Sequence, residues 1–271
     1  MSSSDSLWDR FQASARLDDC PIYEMHGHWA GFHGANLPAS DTQKAISHMD
    51  RAGVALFVFS SHQSLYDPER GNAVSVKVVR ELPDRMRAYC CFNPQYPALA
   101  ERDLASYDDH RDVYVGLKLH PPWHNTGLTD DRYKPAWEFA DANRLLVLTH
   151  TWGNDPGCGS KAMCEVAEKY SGTTIIAGHS LHDRPDQAIE LVKGFPNVYL
   201  DTCAMLDDRG VVDRIVNEIG SERIVFGTDF PWFSYHYYIG ALLGAKMTDE
   251  DRRNILYRNA QRLLEGRTKR V

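Results

Sequence analysis

Leu145-Leu146-Val147-Leu148-Thr149-His150 is an almost unbroken apolar run closed by a histidine. After a helical stretch at about Lys161–Tyr170 the chain repeats the form as Thr173-Thr174-Ile175-Ile176-Ala177-Gly178-His179. A run with no polar alternation is what a parallel strand covered on both faces requires. Strand, helix and strand in that order imply parallel strands joined by a right-handed crossover. Working outward in both directions, the same unit recurs.

On the N-terminal side lie a strand ending in Tyr23-Glu24-Met25-His26-Gly27-His28-Trp29, a loop over Gly31–Pro38 and a helix to Ala52. Ser40 with Gln43 reads as a capping box for that helix, and Gly53 closes it. The strand Val54–Ser60 follows, then a helix over Asn72–Leu82 stopped by Pro83, the strand Met86–Asn93 and a helix near Pro97–Tyr107. The strand Val113–His120 is broken by Pro121-Pro122, and a helix over Tyr133–Asn143 leads back to the opening stretch. On the C-terminal side come a helix over Pro185–Gly194, the strand Asn197–Cys203, a helix over Val211–Ile219, the strand Arg223–Asp229 and a helix over Asp249–Leu264. Eight strands alternating with eight helices predict a single (β/α)8 TIM barrel over residues 1–271, with 1–20 as an N-terminal extension. No Gly-rich phosphate fingerprint follows the first strand, which argues against an open doubly wound sheet.

The 271 residues match the size of one such barrel, and 43 % hydrophobic residues supply its core. A net charge of −7 argues against nucleic acid or anionic membrane as partners. No apolar run is long enough to cross a bilayer, and the N-terminus lacks a secretion signal. The six cysteines form no framework spacing. A cytoplasmic protein with reduced thiols and a small-molecule substrate is the expectation, with a homodimer as one use for the aromatic residues after strand eight.

Barrels of this kind place their active sites at the C-terminal ends of the strands. Those ends carry His26 and His28, then Lys118 and His120, then His150, His179, Asp201 and Asp229. His26 and His28, two apart on one strand, project to the same face and can grip one divalent metal. A lone strand-end histidine is usually a hydrogen-bonded polar cap; eight polar residues on six strand ends converging on one opening are not explained that way. His33, His48, His62 and His110 have no strand-end position in this reading.

His26-Gly27-His28, Gly116-Leu117-Lys118-Leu119-His120-Pro121, Leu148-Thr149-His150-Thr151, Ala177-Gly178-His179-Ser180, Asn197–Thr202 and Phe226-Gly227-Thr228-Asp229-Phe230-Pro231 together resemble the amidohydrolase superfamily. Within it, the pattern is similar to the amidohydrolase-related branch, the one that resembles aminocarboxymuconate-semialdehyde decarboxylase. The resemblance implies that His26, His28, His150 and Asp229 ligate one divalent metal, zinc in the usual case, with manganese or iron as alternatives. It implies catalytic roles for His179, polarising substrate or moving a proton, and for Asp229, which takes the proton of the metal-bound water. Glu24 departs from the aspartate more common before H-x-H. A second metal bridged by a carbamylated Lys118, as in two-metal relatives, is the less favoured alternative.

Lys118, His120, Trp152, Arg184 and Trp232 are the candidate substrate-binding residues. Arg184 reads more plainly as part of a solvated loop; the aromatic residues serve equally to wall a pocket or to cover a subunit interface. Only Lys118 and Arg184 offer cationic anchors, which tilts the reading towards a metal-dependent hydrolase of a small amide, lactone or ester. Non-oxidative decarboxylation of a small aromatic or unsaturated acid is the alternative, because the same ligands serve both. A catalytically idle metal-binding scaffold is the third reading.

Overall fold

The computed structural model describes residues 6–32, 34–35, 37, 41–265 and 267. Eight parallel strands run in sequence order: β1 (Ile22–Trp29), β2 (Val54–Ser61), β3 (Met86–Cys91), β4 (Tyr114–Leu119), β5 (Leu146–His150), β6 (Thr174–Gly178), β7 (Val198–Asp201) and β8 (Ile224–Val225). Helices lie between them, giving the (β/α)8 barrel that the alternation predicts. The ring is joined where the chain after β8 meets β1. There Met25 N donates to Phe226 O at 2.8 Å, Asp229 N to His26 O at 2.8 Å and His28 N to Phe230 O at 2.6 Å. These three bonds set Asp229 beside both β1 histidines.

The core has two layers. Inside the barrel, Met25, Val58, Tyr89, Val115, Leu146, Leu148, Ile176 and Val225 pack together, with Ala260 and Leu263 closing the far end. Between barrel and helices lies a larger cluster that includes Ile22, Phe57, Phe59, Leu117, Val147, Ile175 and Trp137. Both faces of the strands are therefore apolar, which is why their sequences show no alternation.

Several elements differ from the sequence expectation. The helix after β2 runs over Pro68–Glu81 and starts before residue 72, because Asp67 caps it and Pro68 takes its first turn. Ser40 lies outside the described residues; Asp41 caps the helix Thr42–Ala52, accepting from Lys44 N at 2.9 Å. Strand β8 is short because Gly227 and Thr228 turn their backbone N–H groups to the side chains of Thr202 and Glu24. Tyr235–Gly244 is a helix, although the sequence reads as an aromatic loop; Tyr235, Tyr238, Ile239 and Leu242 form its buried face, and the other side carries Tyr237, Gly240 and Ala241 in place of charged residues, so no polar contrast marks it. Leu7–Ser14, in the N-terminal extension, is also helical, with Ser6 and Asp9 forming a capping box. No described helix is long and apolar enough to cross a membrane.

Candidate metal and substrate site

His26, His28 and Asp229 meet at the mouth of the barrel, each offering a ligand atom within 4.8 Å of the others. Their hydrogen bonds fix which atoms face the cluster. His26 Nδ1 lies 2.5 Å from Asp201 Oδ2, and a carboxylate accepts, so the imidazole proton sits on Nδ1. His28 Nδ1 lies 3.3 Å from the Ser60 carbonyl and 3.1 Å from its hydroxyl. Both Nε2 lone pairs are thereby turned towards Asp229 Oδ1, at 3.9 Å from His26 and 3.1 Å from His28. That oxygen is shielded from solvent and makes no aligned hydrogen bond. Two imidazole lone pairs and an unsatisfied carboxylate oxygen face one another; the Lys118 amine, 3.1 Å from His26 Nε2, answers that nitrogen but leaves His28 Nε2 and Asp229 Oδ1 as acceptors in contact. A divalent cation resolves it, so the donor set fits the metal that the resemblance implies.

The electrostatics agree. Burial, then the Lys118 charge, holds His26 well below the usual imidazole range. Burial would raise Asp229, but the close imidazoles of His28, His179 and His26 outweigh it and keep the carboxyl well below its usual value. Burial pushes Lys118 down, against the pull of Asp229 and Asp201, and its amine lies 3.1 Å from His26 Nε2.

The other histidines line the same cavity without joining this cluster. His150 stacks on His120 with ring centres 4.5 Å apart and meets His179 edge-on at 4.6 Å. His179, pushed down to about 4 by burial, has its Nδ1 3.1 Å from Cys203 Sγ and its backbone N–H bonded to Asp201 Oδ1 at 2.9 Å. His120 accepts weakly from Trp123 N at 3.4 Å. His179 and Asp229 both take left-handed backbone conformations, with φ of 66° and 62°. Non-glycine residues held there store roughly 1–3 kcal/mol each, a cost commonly met at functional sites. Gly178 leaves the room His26 needs, since a Cβ there would stand 2.9 Å from the His26 ring and 2.8 Å from Thr149 O.

The cavity holds about 600 Å³ and is lined by the histidines, Lys118, Cys203, Asp229, Trp123, Trp152, Trp232 and Phe233. A larger open groove of about 950 Å³ beside Arg209 and Lys246 contains none of these groups. One expected residue is absent from the cavity. Arg184 is exposed, and its guanidinium bonds Asn154 and the Asp183 carbonyl, so it anchors a surface turn instead of a substrate. Asp201, one of the polar strand ends, has both carboxylate oxygens committed, to His26 and to the His179 backbone. His62 was passed over because β2 was ended at Ser60; it follows Ser61 directly and stacks on His28 at 4.6 Å. His33 lies outside the described residues.

A (β/α)8 barrel with imidazole and carboxylate side chains gathered at its strand ends is the class of enzyme that fold and site define. The amidohydrolase family model matches residues 23–266, and the chain belongs to that family. Its similarity extends to gamma-resorcylate decarboxylase of Polaromonas sp. (strain JS666), 21 % identical, covering 98 % of this chain and 99 % of the relative. A crystal structure of 2,6-dihydroxybenzoate decarboxylase complexed with 2,6-dihydroxybenzoate superposes with a TM-score of 0.71 at 16 % identity, covering 91 % of this chain and 99 % of the other. The dihydroxybenzoic acid decarboxylase of Polaromonas sp. JS666, with bound manganese and 2-nitroresorcinol, gives 0.69 at 18 % identity over 92 % and 97 %.

These relatives overturn the expectation of amide, lactone or ester hydrolysis, since all three are decarboxylases. The scarcity of cationic anchors was the ground for hydrolysis. It fails because a divalent cation held by these side chains would itself supply the positive charge that a substrate carboxylate needs. Zinc finds no support either, the metal in that relative being manganese.

Proposed function

We propose that the chain is a divalent-metal-dependent, non-oxidative decarboxylase of a small aromatic acid. The observation that carries this reading is the cavity itself. An apolar slot walled by Trp123, Trp152, Trp232 and Phe233 stands over the His26–His28–Asp229 cluster, a size and lining suited to a flat ring bearing a carboxylate. The full-length similarity to decarboxylases of dihydroxybenzoates supports it.

His26, His28 and Asp229 would hold the metal, with His150 on the adjoining wall as the fourth ligand. Imidazole and carboxylate donors suit manganese as well as zinc, and the manganese-bound relative favours manganese. When bound, the ion would supply Lewis-acid charge towards a substrate carboxylate. Lys118 and His120 would bind substrate oxygens, and Trp152 and Trp232 would orient the ring. His179 or Asp229, after taking up a proton from the solvent, would deliver it to the ring carbon bearing the carboxylate. The carbon–carbon bond then breaks, its electron pair restores the aromatic ring, and carbon dioxide leaves.

The test is to incubate manganese-loaded protein with hydroxybenzoates, 2,6-dihydroxybenzoate included, in deuterated water. Carbon dioxide release with one deuterium at the vacated ring carbon is the expected result. Protein that binds manganese yet turns over no member of the panel would sink the reading.

A further inference from the structure

His62 is almost fully buried directly after β2, and both of its ring nitrogens are engaged. Nδ1 lies 2.9 Å from the carbonyl oxygen of Ala30, just past β1. Nε2 lies 2.8 Å from the indole nitrogen of Trp232, on the loop after β8. A carbonyl only accepts and an indole N–H only donates, so the neutral ring must carry its proton on Nδ1 and accept at Nε2. One face of the ring lies parallel on His28, centres 4.6 Å apart and planes 14° apart. Trp232 stands edge-on to it, and the Trp232 backbone N–H bonds the Asp229 carbonyl at 2.9 Å. One side chain thus touches a candidate ligand, the loop carrying another, and a wall of the cavity.

We propose that His62 is a positioning residue with two separable duties. Its ring face seats the imidazole of His28, and its pair of nitrogens latches Trp232 in place as the wall against which a flat aromatic acid rests. The inference deepens the aromatic-acid reading and rests on it for the ligand of that wall. The two duties use different parts of the side chain. His62→Gln keeps a donor and an acceptor but loses the ring face; His62→Phe keeps the face but loses both hydrogen bonds.

The experiment uses the full chain labelled with ¹⁵N. Long-range proton–nitrogen correlation on metal-free wild type is expected to show His62 protonated at Nδ1 and bare at Nε2. The Trp232 indole N–H, assigned by its loss in Trp232→Phe, is expected downfield and protected from exchange. In His62→Gln that resonance stays in place while manganese affinity, by calorimetric titration, falls about tenfold, the lower end of what removing a group that orients a ligand costs. In His62→Phe manganese affinity holds while the indole resonance moves to the free position and the Kd for 2,6-dihydroxybenzoate rises about tenfold, as loss of a binding-site hydrogen bond predicts.

A wild-type His62 protonated at Nε2 would overturn the proposal even if neither variant folds. So would variants that change both readouts together, or neither. A wild type that does not bind 2,6-dihydroxybenzoate counts against the aromatic-acid reading, while the indole and manganese readouts still decide the two duties of His62. A wild type that takes up no manganese overturns the seating duty.

Discussion

Asp201 Oδ2 lies 2.5 Å from His26 Nδ1, and its other carboxylate oxygen accepts the backbone N–H of His179 at 2.9 Å. One fully buried carboxylate on β7 thus sets the tautomer of a candidate ligand on β1 and the position of the histidine that follows β6. Replacing it with asparagine puts an amide N–H opposite His26 and lets the ring proton move to Nε2, where the metal needs a lone pair. Asp201→Asn should therefore lower manganese affinity by about 10–100-fold. Calorimetric titration against wild type checks it; an unchanged affinity would show that Asp201 serves folding alone.

The cluster of acceptors around Asp229 Oδ1 also makes metal binding a stability term. Manganese at about 100 times its Kd should add about 2.7 kcal/mol to the unfolding free energy, visible as a rise in Tm that a chelator reverses. Asp229→Ala should abolish that rise, because it removes the carboxylate shared by both imidazoles. A rise that survives in the variant would place the metal elsewhere.

Gly178 faces His26 across the end of β6. Gly178→Ala would place a methyl group 2.9 Å from the His26 ring and 2.8 Å from the backbone oxygen of Thr149. The oxygen belongs to the β5–β6 ladder and cannot yield, so the His26 ring must. A stability cost of about 1–3 kcal/mol is expected, the usual penalty for overpacking, together with weakened manganese binding. Urea unfolding and metal titration on the same variant measure both, and a stable variant with wild-type affinity would refute the account.

His124 is buried beside Tyr133, whose hydroxyl lies 2.6 Å from its Nδ1, and burial pushes the imidazole down to about 4. Its unfolded value is about 6.5, so between the two the unfolded chain binds a proton that the native state refuses. The stability from keeping His124 neutral is thus present above pH 6.5 and is lost as pH falls towards 4, by at most about 3 kcal/mol. His124→Gln, which cannot titrate, should unfold with a shallower acid dependence than wild type across that window. Equal slopes would show that the ring gains its proton without cost.

Strand and helix alternation was legible because each parallel strand is covered on both faces, which leaves an apolar run with a helix on either side. The strand-end histidines were legible because the barrel makes position at a C-terminal end equivalent to position at the mouth. Period-based reading could not find the Tyr235–Gly244 helix, whose outward side carries Tyr237, Gly240 and Ala241 and so lacks polar contrast, nor the start of the helix at Pro68, which depends on a capping aspartate. Arg184 and His62 were misplaced by small offsets: a surface turn takes the first out of the cavity, and one residue beyond β2 puts the second into it.

The sequence by itself determined the barrel, the family and the ring of polar residues at its opening, since these follow from local pattern and motif spacing. Only the tertiary structure decided which atoms face one another. That Nδ1 of His26 is tied to Asp201, that His28 Nε2 meets Asp229, and that His62 bridges Ala30 to Trp232 are contacts between strands far apart in the chain. Their distances depend on how the ring closes between β8 and β1, and no local run of residues encodes them.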